Sequence, residues 1–238
     1  MHFKLVAPVA GSLLAMAAAV APSHAAATNT LALWDMNEPA GATTLTDSSG
    51  NGITGTIGSA VSRVAIGDIK AFSWSKTNPN EAPAKPERLV TVASDQLNPG
   101  SGDYAVSMRF RTTHSYGNMI QKGQAGSKGG YFKWENVKGK VTCRFRGVVN
   151  GSLVSKSVNT GTTPLNDGAW HTLRCERTAD KLELWVDNAA TPRRARGATG
   201  TISNNVPLTI AGKSNCDQIK VTCDYFSGEI DWVKIEKG

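Results

Sequence analysis

After residue 25 this chain of 238 residues has no apolar run long enough to cross a bilayer, so no helical membrane insertion is expected. Nor does any long segment repeat its apolar residues with the 3.6-residue period of an amphipathic helix, which excludes a helical bundle. Linkers, internal repeats and low-complexity blocks are missing from the same stretch, so one domain is expected over 26–238. Histidine is scarce, at four residues. His171 has no Ser, Cys or paired acid arranged around it, and a structural role is its expected one. Cysteine is equally scarce. Within Cys143/Cys175 and Cys216/Cys223, 31 and six residues intervene, against the two to four usual between zinc ligands.

What is present begins with a leader. "MHFK" is a short basic start, "LVAPVAGSLLAMAAAVA" an apolar stretch, and "PSHA" a small-residue cleavage site ending at Ala25, so 1–25 reads as a secretory signal and the remainder as exported. In an exported chain an even number of cysteines favours disulfides. Lys and Arg number 26 against 19 Asp and Glu, a formal charge of +7. That excess matters only where the charges share a surface, and no nucleic-acid partner is expected from it.

Short alternating runs recur between turn clusters. "YAVSMRFRT" sets Val106, Met108 and Phe110 against Ser107, Arg109 and Arg111. "KVTCRFRGV" sets Val141, Cys143 and Phe145 against Thr142, Arg144 and Arg146, and "KLELWVD" sets Leu182, Leu184 and Val186 against Glu183 and Trp185. "TLALWDM" reads as a first strand, "VPLTIAG" and "GEIDWVKIE" as the last two. "DSSGNG", "NPGSGD", "GSKGG", "NDG" and "VDNAATP" carry the residues that tolerate positive φ or bond their own backbone, and "SKTNPNEAPAKPER" reads as a surface loop. The fold class is all-β, a sandwich of two antiparallel sheets.

Five stretches in order make the pattern specific: "LWDMNEPAGATTLTDSSGNGITGTI", "IQKG…GGYFKWE", "LNDGAWHTLRCERTADKLELWVDN", "PLTIAGK" and "FSGEIDWVKI". Together they resemble the laminin G-like, concanavalin A-like jelly-roll family over about residues 30–236. The resemblance implies a jelly roll whose first and last strands are neighbours, an architecture of exported carbohydrate-binding modules. It also implies a structural calcium near that join, for which Glu38, Asp47 and Asp231 are the side-chain candidates, calcium needing several oxygen ligands. The alternative is that Asp47 makes an Asx-turn and Asp231 bonds nearby backbone. Trp170, after the "NDG" turn, is expected to plug the end of the sandwich.

Two enzyme readings compete with a binding module. Glucanases of this fold carry a Glu-x-Asp-x-Glu or Glu-x-Asp-x-x-Glu strand, and a retaining mechanism needs two carboxylates about 5–5.5 Å apart. Glu229 and Asp231 match the first two positions; the third falls on Val233, or on Lys234 in the bulged form. "YFKWEN" resembles a strand of jelly-roll alginate lyases, but "QIK" at 218–220 lacks the histidine of those enzymes and comes later in the chain. The expected function is therefore non-catalytic carbohydrate binding. A glycoside hydrolase or polysaccharide lyase is the alternative, and an adhesion or protein-interaction module the second.

Parity makes two further expectations. Cys143 shares the inward side of Val141 and Phe145, and Cys175 that of Leu173, so neighbouring strands of one sheet would bring them into a Cys143–Cys175 bridge. Cys216 and Cys223 bracket "DQIKVT", short enough for a local bridge. The same alternation turns Arg109, Arg111, Arg144, Arg146 and Trp185 outward, with Lys133 joining them if Phe132 and Trp134 point in. Guanidinium groups pair with carboxylate or sulfate and an indole offers a sugar ring a flat surface, so an anionic polysaccharide lying on the open face of one sheet is the expected ligand.

Overall fold

The computed structural model describes residues 29–76, 86–214 and 224–238. The leader, residues 77–85 of the Pro-rich loop, "QIK" and the Cys216/Cys223 pair lie outside the described residues. In chain order the strands are β1 (Asn29–Trp34), β2 (Thr44–Leu45), β3 (Gly55–Ile57), β4 (Ser62–Ile66), β5 (Ile69–Trp74), β6 (Val90–Val92), β7 (Tyr104–Arg111) and β8 (Tyr116–Lys122). They continue with β9 (Tyr131–Val137), β10 (Lys140–Val149), β11 (Ser152–Asn159), β12 (His171–Arg177), β13 (Lys181–Val186), β14 (Arg193–Arg196), β15 (Leu208–Ile210) and β16 (Gly228–Lys237).

Two antiparallel sheets of eight strands result. The first runs β14-β13-β12-β7-β16-β5-β4, and the second β11-β10-β9-β8-β15-β6-β3-β2. β1 joins the first sheet against β16, beyond the segment of β16 that β5 occupies, so the first and last strands are neighbours as the resemblance implies. Alternation decides what is buried. Val106, Met108 and Phe110 of the first sheet face Phe132, Trp134, Val141 and Phe145 of the second, and all are buried with Trp34 and Phe72 in one core. Each large apolar side chain removed from water there contributes about 1.5–3 kcal/mol.

The cysteine pairing is as expected, but its geometry is not. Cys143 lies on β10 of the second sheet and Cys175 on β12 of the first, so the bridge crosses the core and ties the two sheets together, with 6.5 Å between Cα atoms. Both residues do face inward; inward parity does not tell which sheet a strand joins.

β16 departs from strict alternation. Its register against β7 shifts between Ile230 and Trp232, a bulge that keeps Ile230 and Val233 in the core and turns Asp231 and Trp232 to the same outer side. The next outward residues are then Lys234 and Glu236, which pair at 3.0 Å. At the third position of the glucanase pattern the outward residue is accordingly a lysine.

Candidate functional site

The six residues expected to share a binding face do not share one. Arg109, Arg111 and Trp185 lie on the outer side of the first sheet, whereas Lys133, Arg144 and Arg146 lie on the outer side of the second. Parity places a side chain inside or outside, and each sheet of a sandwich has its own outside.

The outer face of the first sheet is compensated charge by charge. Arg109 binds Asp231 at 3.0 Å and Arg111 binds Glu229 at 3.1 Å. Arg174 reaches both Glu176, at 3.1 Å, and Glu236. Glu183 takes Arg194 Nε at 2.6 Å and Lys181 at 3.2 Å. Burial pushes the Asp231 carboxyl up from its ordinary value, with Arg109 opposing. Trp170 does not plug the sandwich end; its ring lies 5.2 and 5.6 Å from the guanidinium carbons of Arg109 and Arg111. Trp185 stands beside Arg174 and is only 9% exposed, too little to offer a sugar ring its face. His171 is held between Asp187, 2.7 Å from Nδ1, and Asp167, 3.0 Å from Nε2. Burial opposes its protonation, but the two carboxylates outweigh burial and raise its pKa. The acids that the sequence did not show around His171 are thus present, and through it they brace the loops that carry Asp167 and Asp187.

The three calcium candidates do not make one donor set. Asp47 Oδ1 accepts from the amides of Leu33, at 3.0 Å, and Ser49, at 2.9 Å, and its Oδ2 accepts from Ile53 at 2.9 Å. Burial raises this carboxyl's pKa, but those hydrogen bonds together lower it. Glu38 accepts from the Thr46 amide at 2.7 Å, and Asp231 belongs to Arg109. Among the described residues no three His, Cys, Asp or Glu side chains come together as a metal site. Asp47 is the Asx-turn of "DSSGNG", and its oxygens are already satisfied.

The second sheet is different. Thr56, Thr91, Thr209, Gln121, Lys133, Arg144 and Ser157 stand in register across seven strands, a continuous polar row on its outer side. Lys133 and Arg144 share one carboxylate, Glu135, the Arg144 pair being 3.6 Å. At the end of this row the sheet edge β11 meets β14, the edge of the first sheet. A groove of about 590 Å³ runs along this seam, lined by Ser157, Asn159, Thr191, Pro192, Arg193 and Arg194. The Arg193 guanidinium lies so close to Gly161 that a Cβ there would come within 2.6 Å of it, and Lys156 Nζ lies as tightly against Gly197, at 2.9 Å. Among the described residues Arg146, Lys156, Arg193 and Arg196 make no ion pair. Arg146 has only a long hydrogen bond to the Ala125 carbonyl. Cations without a carboxylate partner among the described residues therefore stand on both strands of the seam, Lys156 on β11 and Arg193 and Arg196 on β14, with Arg146 one strand further in beside Ser155. The signal for it, "RRAR" at 193–196, is legible in the sequence but carries no apolar alternation to mark it as a strand.

Comparison with solved structures shows the fold elsewhere. Domain 4 of AbnA, an extracellular GH43 arabinanase from Geobacillus stearothermophilus solved with arabinotriose, is 13% identical at a TM-score of 0.54, over 88% of this chain and 92% of that one. The binding domain of Paraclostridial Mosquitocidal Protein 1 is 13% identical at a TM-score of 0.56, and that of Botulinum Neurotoxin DC with SialylT 12% identical at 0.54. Both alignments cover 88% of this chain, which spans about half the length of those domains (48% and 46%). No curated protein sequence matches. Residues 110–238 match the laminin G domain, more than half of the sequence, and with the sandwich and its joined terminal strands the chain belongs to the laminin G domain family.

Proposed function

We propose that this protein is an exported, non-catalytic module that binds an anionic polysaccharide along the β11–β14 seam. The observation that carries the reading is Arg193 in the wall of a polar groove at this seam, with Lys156 of β11 and Arg196 of β14 close by along the same two edge strands, none of the three with a carboxylate partner among the described residues. Fixed cations that have no internal counter-ion are matched by an external one, and guanidinium forks suit sulfate or carboxylate. Serine and asparagine at the groove supply hydrogen bonds to hydroxyls. The arabinanase domain, solved with arabinotriose, supports a sugar as ligand of this fold. Export rests on the leader; among the described residues no helix is long and apolar enough to cross a membrane. Glu229 and Asp231, the acids of the enzyme alternative, are each held by an arginine.

The test is binding of the purified chain to a uronate or sulfated polymer by calorimetry at two salt concentrations. Affinity is expected to fall at least tenfold between about 50 and 300 mM salt, as exposed charges are screened. Arg193→Ala with Arg196→Ala should weaken binding about tenfold without lowering the melting temperature. Unchanged affinity in that double variant would remove the seam as the site.

A further inference from the structure

A second cavity lies on the other side of β10, and its chemistry is the opposite of the seam's. It is a cleft of about 490 Å³ lined by Tyr116, Gly117, Asn118, Glu135, Asn136, Val137 and Asp224. Its lining includes Tyr116 and Val137, 44% and 42% exposed, two of the three large hydrophobic side chains left exposed among the described residues. A single exposed apolar residue is ordinary; two sharing the wall of one cleft are a feature.

The deeper part of the lining is polar and unsatisfied. Asn118 is 1% exposed, yet among the described residues neither its side-chain Oδ1 nor its Nδ2 has a hydrogen-bond partner. Its backbone amide donates to the Asp224 carbonyl at 2.7 Å, so the strand geometry explains its position but not its side chain. Asn136 donates its Nδ2 to the His114 carbonyl at 2.8 Å, and its buried Oδ1 has no partner among the described residues. Buried amides with nothing to bond are rare in folded proteins and call for a partner from outside. The two residues of the lining that carry charge at neutral pH, Glu135 and Asp224, are both acids. Their cationic partners Lys133, Arg144 and Lys213 are not part of its lining.

We propose that this cleft is a binding site for an uncharged sugar ring. A hydroxyl donates and accepts at once, so a vicinal pair can satisfy the oxygen and nitrogen of Asn118 together, while Glu135 accepts from a further hydroxyl. The Tyr116 ring and Val137 then cover the apolar C–H face of the ring, the usual division of a small-ligand site into apolar walls and a few placed polar groups. A uronate or sulfate would find no lysine or arginine in this lining to pair with, and the two carboxylates there already have their cations. The cleft and the seam are thus separate sites, divided by β10, and they take rings of different charge.

The experiment uses the full chain and a panel of neutral trisaccharides built from arabinose, xylose, glucose, mannose and galactose, read by calorimetry and by quenching of intrinsic fluorescence. At least one should bind, with an affinity that changes less than twofold between 50 and 300 mM salt. Asn118→Ala and Tyr116→Ala should each weaken it at least tenfold. Removal of the unpartnered amide should leave the melting temperature of Asn118→Ala unchanged or raised. Arg193→Ala with Arg196→Ala should leave neutral binding intact, so failure at the seam and failure here are distinguishable. The proposal is overturned if no member of the panel binds more tightly than about 10 mM, or if binding survives both cleft substitutions. Displacement of the neutral sugar by anionic polymer with equal sensitivity to the seam arginines would also overturn it, since both ligands would then share one groove.

Discussion

The tripeptide Arg-Phe-Arg occurs twice in this chain, at 109–111 on β7 and at 144–146 on β10, and the two copies meet different fates. In both, the phenylalanine enters the core and the arginines face out. On β7 the facing strand is β16, whose Glu229 and bulged Asp231 neutralise Arg111 and Arg109 under the Trp170 ring. On β10 the neighbours of Arg146 are Tyr131 and Ser155, and those of Arg144 are Lys133 and Ser157. Identical local sequence therefore yields two arginines each with its own carboxylate on one sheet, and on the other an Arg144 that shares Glu135 with Lys133 and an Arg146 with no carboxylate among the described residues. Whether an outward arginine is spare for a ligand is decided by the strand beside it.

The most damaging way to disturb this comparison is to separate the two sheets that carry it. Cys143→Ala with Cys175→Ala removes the link between β10 and β12, and a bridge closing a loop of this length contributes about 2–4 kcal/mol by constraining the unfolded chain. A lower urea midpoint, matched by the wild type in reductant, is the expected outcome.

Next in size is Asp47→Ala, which strips acceptors from three backbone amides and should cost about 2 kcal/mol, measured by denaturant unfolding. The folded carboxyl lies below its ordinary 3.8, so its contribution is full above that pH and is lost as pH falls through the folded value. The variant should lose less stability than wild type below about pH 4. Calcium or chelator should leave the melting temperature of both proteins unmoved, and a calcium-dependent shift abolished by Asp47→Ala would restore the metal reading.

The two Arg-Phe-Arg segments can then be set against each other directly. Arg109→Ala with Arg111→Ala leaves Asp231 and Glu229 half-buried and unpaired, and should lower stability by about 1 kcal/mol while leaving polyanion affinity unchanged. Arg144→Ala with Arg146→Ala should do the reverse, with melting temperature retained and affinity reduced several-fold. Equal behaviour of the two double variants in both assays would erase the distinction between the faces.

The smallest effect belongs to His171. Its pKa is raised in the folded state, so the stabilisation from Asp187 and Asp167 is fully present below the ordinary 6.5 and is lost as pH rises through the folded value. Melting temperature should drop slightly from pH 6 to pH 8 in the wild type, and His171→Gln should flatten that slope.

Much of this was legible residue by residue. Alternation in "YAVSMRFRT", "KVTCRFRGV" and "KLELWVD" marks β7, β10 and β13 and their buried sides, because a strand has only two faces. The cleft was not legible: Asn118 sits at a register shift of β8, and only its burial without a partner distinguishes it from any other asparagine. The seam was half legible, since "RRAR" is conspicuous as charge yet silent about the edge it joins. By itself, then, the sequence determined the strands that alternate, such as β7, β10 and β13, their inward side chains and the inward sides of Cys143 and Cys175, all of which follow from the period of an extended chain. Tertiary structure alone decided that Cys143 and Cys175 meet across the core, that the bulge on β16 delivers Asp231 to Arg109, and that β11 and β14 gather the unpaired cations. These depend on which strands become neighbours, and strand pairing joins residues whose separation along the chain carries no local signal.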